Sequence, residues 1–293
     1  MNPHPFSEDA SHKATPRAVQ PPQAPVRLGQ IWPKGFAGRL WETVAFSSRR
    51  IRRRPVGAPQ PVWSRGLTLL LFCGAVCVAL LFTIDSKVMN FMLSNRNGFT
   101  AWLAWLSDIG KSEWYLVPAL LVYLATAAAD WRGVGHGVKA RLVTLFGQAA
   151  FVFGMVAFTG IAVNIVKLFF GRARPAFYGE YGAYHFDPFV VTRYSSSFPS
   201  GHATTIGTVA AILMIWFPRH WLPIGIVGLA LSALRIPAAA HYPSDITAGF
   251  LFGLIVTIVA ARFFAVRRVG FRLVAGKLLP AAVGFGRRKR AAR

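Results

Sequence analysis

Six apolar runs separated by short polar connections constrain the fold of this chain more than any other feature. The runs cover residues 66–84, 114–129, 142–166, 203–217, 221–240 and 244–265. A helix needs ~20 mostly apolar residues to cross the hydrocarbon core of a membrane, and all six runs reach or approach that length. Only 15% of the 293 residues are charged, against about 25% in soluble domains. The sequence therefore predicts an all-α, polytopic membrane protein with six transmembrane helices.

The basic residues are distributed unevenly around these runs. The formal net charge is +23, and an even number of spans places 25 of the 33 Lys and Arg residues on the side of the two termini, against 8 on the other side. Because basic residues favour the cytosolic side, we expect both termini in the cytosol. The segments 171–199 and 235–245 are then expected on the outer, periplasmic side of a bacterial inner membrane, the location that the composition favours.

Two basic tails flank the apolar region. Residues 1–65 contain ten of the 19 prolines, a composition that favours disorder. The cluster from Arg49 to Arg54 precedes the first apolar run, where we expect it to bind anionic lipid headgroups rather than nucleic acid. We therefore divide the chain into a cytosolic tail at 1–65, a membrane domain at 66–265 and a second basic cytosolic tail at 266–293.

A short segment between the first two runs has a different character. Between Gly98 and Ile109, the large apolar residues interspersed among polar ones are Phe99, Trp102, Leu103, Trp105 and Leu106. Trp is enriched at membrane–water interfaces. The segment is therefore predicted to form an amphipathic helix that lies in the interface.

The first reactive cluster ends the third apolar run. Lys167 is followed seven residues later by Arg174 and then by Pro175. Gly171 and Pro175 predict that the helix bends or stops between them. Two cations close together form a site for a doubly charged anion. The alternative is that both side chains extend from a helix end toward lipid headgroups.

The second cluster, Phe198-Pro199-Ser200-Gly201-His202, comes directly before the fourth run. Ser200 and Gly201 are expected to begin a helix, where free backbone N–H groups and the helix dipole bind phosphate. His202 lies where a proton donor is needed. The alternative is an N-terminal cap serine beside a histidine without a catalytic role.

The third cluster contains Arg235, His241 and Asp245. His241 and Asp245 are four residues apart, and Pro243 suits the first turn of a helix. One helical turn brings the carboxylate to one imidazole nitrogen and leaves the other nitrogen free to attack. The alternative is an Asp favoured by the helix dipole beside an interfacial His.

All three clusters fall at helix ends on one predicted side of the membrane, and together they supply the parts of a covalent phosphoryl-transfer site. The site would contain the cations Lys167, Arg174 and Arg235, the oxyanion donors Ser200 and Gly201, the nucleophile His241, its orienting carboxylate Asp245 and the acid His202. Asp245 is the only carboxylate in the three clusters. We therefore expect no metal ion and no other cofactor.

The three clusters have the pattern Lys-x6-Arg-Pro, Pro-Ser-Gly-His and Arg-x5-His-x3-Asp, in this order. This pattern resembles the phosphatidic acid phosphatase type 2 / vanadium haloperoxidase superfamily, in its membrane lipid phosphatase branch. The motifs span residues 167–245, and the six-helix pattern extends the likeness over 66–265. One departure is Leu234, which stands where the family usually has Ser before the arginine of the third motif.

The resemblance implies a role for each residue. His241 attacks phosphorus and forms a phosphohistidine, Asp245 orients His241, and His202 protonates the leaving oxygen and later activates water. The phosphoryl oxygens are held by Lys167, Arg174, Ser200, Gly201 and Arg235.

The resemblance also implies a reaction, the metal-independent hydrolysis of a lipid phosphomonoester or diphosphate at the outward-facing helix ends. Similar bacterial enzymes act on undecaprenyl diphosphate, phosphatidylglycerophosphate, phosphatidate or lipid A phosphates. Two other functions stay open. A lipid phosphotransferase would use the same site with an alcohol as acceptor, and a non-enzymatic phosphate-binding transporter would need more polar residues along its spans.

Overall fold

Helices occupy all six apolar runs in the part of the chain that the structure describes. The computed structural model describes residues 61–129, 134–190, 192 and 194–284, together with a few residues between 35 and 52. The longer helices are α1 (Arg65–Ser94), α2 (Gly98–Leu106), α3 (Glu113–Ala128), α4 (His136–Phe170), α5 (Gly201–Trp216), α6 (Trp221–Ala233) and α7 (Pro243–Val266). The predicted disorder of the first tail concerns residues that lie largely outside this description.

The helices differ in length. By length and composition, α1, α4 and α7 are able to cross a membrane, whereas α5 is a shorter apolar helix. α6 has only 13 residues, which corrects the helix expected over 221–240. It ends at Ala233 because residues 234–240 form consecutive turns, and Pro237 neither donates a backbone hydrogen bond nor allows helical backbone before it.

The segment after α1 is helical, as the sequence predicts. α2 begins with a capping box in which the Asn97 side chain accepts from the Thr100 backbone and the Thr100 side chain accepts from the Asn97 backbone. A 3-10 turn, Ser107–Gly110, follows it directly. Both Trp102 and Trp105 are more than half exposed, which suits a helix lying at a membrane surface.

Large apolar side chains remain exposed on the outer faces of the bundle. Leu69 and Phe72 on α1, Leu121 on α3, Phe158 on α4 and Ile226 on α6 are each more than half exposed. Soluble monomers rarely expose extended apolar surface of this kind. Together with the three candidate spans, these faces confirm the prediction of a helical membrane protein.

The closest helix pair, α5 and α7, meets along three glycines that we call the glycine seam: Gly207, Gly249 and Gly253. A Cβ added to Gly249 would lie 2.3 Å from the carbonyl oxygen of Ser200, and one added to Gly207 or Gly253 would lie 2.1 Å from a carbonyl oxygen of the facing helix. Small residues four apart allow such close approach between membrane helices. The seam brings the first turns of α5 and α7 together.

One arginine connects the chain segments at the end of the bundle where α7 finishes, which is opposite the start of α7. After α7 the chain forms an antiparallel ribbon of two short strands, β1 (Phe271–Arg272) and β2 (Ala281–Ala282). The buried Arg262 side chain donates to the carbonyl oxygen of Val62 at 2.6 Å and to that of Leu278 at 3.0 Å. Residues that precede and residues that follow the membrane domain in sequence therefore pack at this end of the bundle. They include part of the predicted second tail.

Candidate active site

The three sequence clusters converge at one end of the bundle. The Ser200 backbone N–H, at the start of α5, donates to the carbonyl oxygen of Asp245 in α7 at 3.0 Å. A Cβ added to Gly201 would lie 3.8 Å from Nζ of Lys167, near the end of α4. Arg172, which follows α4, contacts Asp245 directly. The convergence expected from the motif pattern is therefore present.

α4 stops at Gly171, as the sequence predicts. Gly171 adopts a left-handed conformation with φ 59°, and a Cβ there would lie 1.7 Å from the carbonyl oxygen of Asp187. Only glycine fits at this position. The chain then extends, so that Arg174 reaches the site from a loop rather than from the helix face of Lys167. One Arg174 nitrogen, Nη2, donates to the Ser196 hydroxyl at 2.9 Å.

The start of α5 differs in one detail from the oxyanion site that the sequence predicts. Ser200 is fully buried and caps the helix, with its hydroxyl oxygen accepting from the backbone of Ala203 at 3.4 Å. Because its backbone N–H already binds Asp245, Ser200 offers a ligand only its hydroxyl hydrogen. Gly201 occupies the first helical position, where the backbone N–H has no acceptor within the helix.

The 3-10 turn after α2 forms one wall of the site, beside His202 and Arg235. Nε2 of His202 and Nε of Arg235 are buried without a hydrogen-bond partner among the described residues. Arg235 also donates through Nη1 to the Ser107 hydroxyl at 3.1 Å. A Cβ on Gly110 would lie 3.0 Å from Cβ of His202. Sequence patterns gave no indication that Ser107 and Gly110 lie at the site.

His241 is buried, with 2% of its surface exposed. Its Nδ1 lies 3.8 Å from Oδ2 of Asp245 and has no hydrogen-bond partner among the described residues. Burial lowers the pKa of His241 from its usual 6.5 to about 4, with Asp245 opposing this change and Lys167 and Arg174 adding to it. The imidazole is therefore neutral at pH 7 and keeps a free lone pair, as a nucleophile requires.

Asp245 is held by donors other than His241. Its Oδ1 accepts from Arg172 Nη1 at 2.6 Å, and its Oδ2 accepts from the Ser197 hydroxyl at 2.6 Å and from the Tyr242 backbone at 2.9 Å. The 3.8 Å separation from His241 exceeds a hydrogen bond. Catalytic hydrogen bonds are often long without substrate and tighten in the reactive complex, so this separation is compatible with the predicted orienting role of Asp245.

Besides Ser107 and Gly110, four further residues at the site do not follow from the motifs: Asp85, Arg172, Ser197 and Ser244. Arg172 lies inside the first motif but is indistinguishable in sequence from an arginine that extends toward headgroups. Asp85 carried a usable signal, because it is the only acidic residue in the apolar α1 segment. Ionisable residues at membrane depth indicate function by default. Its partner, however, is 87 residues away, beyond the reach of local patterns.

An apolar groove of about 690 Å³ opens between α1 and α7. Its lining includes Phe170, three residues after Lys167, and Phe198, two residues before Ser200. The remaining lining residues are Leu71, Gly74, Ala75, Val78, Ala79, Phe82, Phe186, Ala248, Leu251, Phe252, Ile255 and Val256. The groove is thus apolar, and two residues close in sequence to the site contribute to it.

Metal-ligating side chains are not gathered at the site. Within the described residues, no group of three or more His, Cys, Asp or Glu side chains is arranged to hold a metal ion. The site instead brings together cations, imidazoles and backbone donors, which are the groups that bind phosphate oxygens.

Comparison with known proteins identifies the family. The PAP2 superfamily model matches residues 148–268, which include all three motifs. A lipid A 1-phosphatase of Rhizobium johnstonii is 31% identical over 221 residues, covering 75% of this chain and 88% of that protein. The chain belongs to the PAP2 superfamily. This membership confirms the resemblance drawn from the motifs and the prediction of a phosphoric ester hydrolase.

Two further relatives extend the comparison. A lipid A 1-phosphatase of Rhizobium etli is 34% identical over 161 residues, which are 54% of this chain and 69% of that protein. Among solved structures, the transmembrane PAP2-type phosphatidylglycerolphosphate phosphatase from Bacillus subtilis is similar with 18% identity and a TM-score of 0.41. That match covers 69% of this chain and 94% of the solved chain.

Proposed function

We propose that this chain hydrolyses a phosphate or diphosphate group of a membrane lipid through a phosphohistidine formed on His241. The observation that carries the proposal is the convergence of the three motifs around a buried, neutral histidine. The positive charges of Lys167 and Arg174 oppose protonation of this histidine, and those of Lys167 and Arg235 oppose protonation of His202. A doubly charged phosphoryl group would neutralise this excess of positive charge.

The reaction would proceed in two displacements. An imidazole nitrogen of His241 forms a bond to phosphorus while the bond to the leaving oxygen breaks. His202, which takes up a proton when the bound phosphate offsets the charges of Lys167 and Arg235, donates that proton to the leaving oxygen. His202 then takes a proton from water, whose oxygen attacks the phosphohistidine and releases phosphate. Asp245 stabilises the positive charge that His241 acquires. The phosphoryl oxygens would be bound by Lys167, Arg174, Arg235, the Ser200 hydroxyl and the Gly201 backbone N–H.

A lipid substrate is supported by the surroundings of this site. The groove between α1 and α7 is apolar and is lined by Phe198, two residues before Ser200. A hydrocarbon chain lying there would keep apolar surroundings like those of the bilayer. Because two relatives are lipid A 1-phosphatases, a lipid A phosphate is the first substrate to examine. A lipid phosphotransferase would share the site and differ only in using an alcohol as acceptor.

The direct test is phosphate release by the purified full chain from a panel of lipid phosphates and diphosphates in detergent micelles. We expect release from at least one of them, equal in EDTA and in Mg²⁺ because cations of the chain bind the phosphoryl group, and blocked by vanadate. An added lipid alcohol that diverts the phosphate to itself would favour the phosphotransferase. Release that requires Mg²⁺ after EDTA treatment would contradict the metal-independent mechanism.

We further propose that all six apolar runs span a bacterial inner membrane, the fifth as α6 together with the turns at 234–240, with both termini in the cytosol and the site at the periplasmic surface. The support is the asymmetry of 25 against 8 basic residues and the apolar outer faces of α3 and α6. A cysteine near Gly182, at the exposed Glu180, with Cys73 and Cys77 changed to alanine, is expected to react with an impermeant thiol reagent in cells with a permeable outer layer. Labelling only after lysis of the inner membrane would reverse the orientation.

A further inference from the structure

Arg172 is buried between two carboxylates. It is fully inaccessible to solvent. Its Nη1 donates to Asp245 at 2.6 Å and to the Ser244 hydroxyl at 2.7 Å, and its Nη2 donates to Asp85 at 2.8 Å. Nε and Nη2 both donate to the carbonyl oxygen of Ala183. All five N–H donors of the guanidinium are therefore used, and none remains for a substrate.

Asp85 joins this arrangement from α1. Its Oδ2 accepts from Arg172 and from the Ser244 hydroxyl, and its Oδ1 accepts from the Ser244 backbone at 3.1 Å. The guanidinium carbon of Arg172 lies 4.8 Å from the ring centroid of Phe82 and 4.2 Å from that of Tyr242, so aromatic rings pack against the guanidinium. Asp85 accepts from three donors, and the ion pair with the always-charged guanidinium of Arg172 favours its ionised form.

The charges of this cluster have a direct effect on the site. With Asp85, one cation is shared between two anions, and the net charge is negative. Without the charge of Asp85, Arg172 would neutralise Asp245 alone, and the carboxylate beside His241 would stabilise a cationic imidazole less. Such interactions are strong where water is excluded, because the effective dielectric constant is low.

We propose that Asp85 is a positioning residue that offsets the charge of Arg172, so that Asp245 keeps its negative charge available to His241. Arg172 and Ser244 transmit this effect from α1 to the first turn of α7. The inference rests on the proposed role of His241 as nucleophile. It adds a function for a helix that carries none of the three motifs.

Other charged groups also influence the pKa of His241, and the effect of Asp85 adds to theirs. Lys167 from α4 and Arg174 from the loop after it lower the tendency of His241 to take a proton. His202 at the start of α5 interacts with His241 and with Arg235, which follows α6. None of these residues contacts Asp85, so changes at Asp85 leave them in place.

The test compares Asp85→Asn with the double variant Asp85→Asn/Arg172→Gln. The single variant makes the cluster more positive by one charge at nearly constant shape. It is expected to lower the pKa of His241 by about one unit and kcat by about 10-fold, with KM within about twofold. The double variant restores the net charge, so the pKa of His241 and kcat are expected to return toward the wild-type values although a second buried group is lost.

The pKa of His241 is read from the ¹³C NMR signal of its labelled imidazole in detergent, assigned by its loss in His241→Ala. This measurement does not require activity, so absence of phosphate release by the wild type would refute the proposed function and leave the test of Asp85 intact. Ser86→Ala is the control on α1, since the Ser86 hydroxyl binds Tyr178 at 2.6 Å outside the cluster. It is expected to leave pKa and kcat unchanged.

A double variant that is worse than Asp85→Asn, or an unchanged pKa of His241 in Asp85→Asn, would overturn the proposal and assign the cluster a structural role only. If Asp85→Asn does not fold, Asp85→Glu tests the same idea with the charge kept. The pKa of His241 is then expected within a few tenths of a unit of the wild type, and a decrease of a full unit would contradict the inference.

Discussion

Replacement of His241 with alanine is expected to reduce phosphate release to background, a loss on the order of 10⁶-fold as for other removed nucleophiles. The expectation follows from the position of His241, which is buried between Asp245 and the cations of the first motif. Without the imidazole no covalent intermediate forms. The measurement is turnover of a lipid phosphate together with trapping of phosphoenzyme in an acid-free quench, because phosphohistidine is labile in acid.

The matched control is His220→Ala, which removes an exposed histidine in the connection between α5 and α6. That variant is expected to retain wild-type turnover and wild-type phosphoenzyme. Phosphoenzyme that still forms in His241→Ala would show that another residue attacks phosphorus. Phosphate release by Asp245→Asn is expected to lie between that of His241→Ala and that of His220→Ala. This variant keeps the imidazole but weakens its orientation and the stabilisation of its charge.

Replacement of His202 with alanine is expected to slow turnover by ~10²–10⁴-fold, the usual contribution of general acid–base catalysis. The size of the loss should depend on the leaving group. A lipid alkoxide needs a proton, whereas an aryl oxide of low pKa leaves without one. His202→Ala is therefore expected to form phosphoenzyme from an aryl phosphate at a rate close to that of the wild type, and to be slow with a lipid phosphate.

The comparison of the two substrates in both histidine variants separates the roles. In the trapping experiment, His241→Ala should form no phosphoenzyme from either substrate, whereas His202→Ala should be slow to form it only from the substrate with the poor leaving group. If His202→Ala fails to trap phosphate from the aryl substrate while His241→Ala succeeds, the roles are reversed. The inference from the four-residue spacing of His241 and Asp245 would then be wrong.

The motifs predicted which helix ends meet, because local chemistry determines where these helices begin and end. Gly171 ends α4 through its left-handed backbone, Ser200 caps α5, and Pro243 begins α7. Each of these features depends only on residues close in sequence. The roles of the individual residues, however, stay predictions until the variants are measured.

Long-range partners could not be predicted in the same way. The contact between Arg172 and Asp85 depends on how α1 packs against α7, and the apolar runs contain no information on which charged side chains meet. The occupied backbone N–H of Ser200 is a similar case, since it results from the close approach at Gly249. The early end of α6 was predictable in part, because Pro237 signals a turn.

Arg262, near the end of α7, has a consequence for how the chain can be shortened. Arg262 binds carbonyl oxygens on both flanks of the membrane domain, at Val62 and at Leu278. A truncation at residue 266, where composition alone marks a domain boundary, would leave a buried guanidinium without half of its acceptors. The smallest chain that retains this contact therefore begins before residue 61 and continues past residue 278, and affinity tags belong beyond those points.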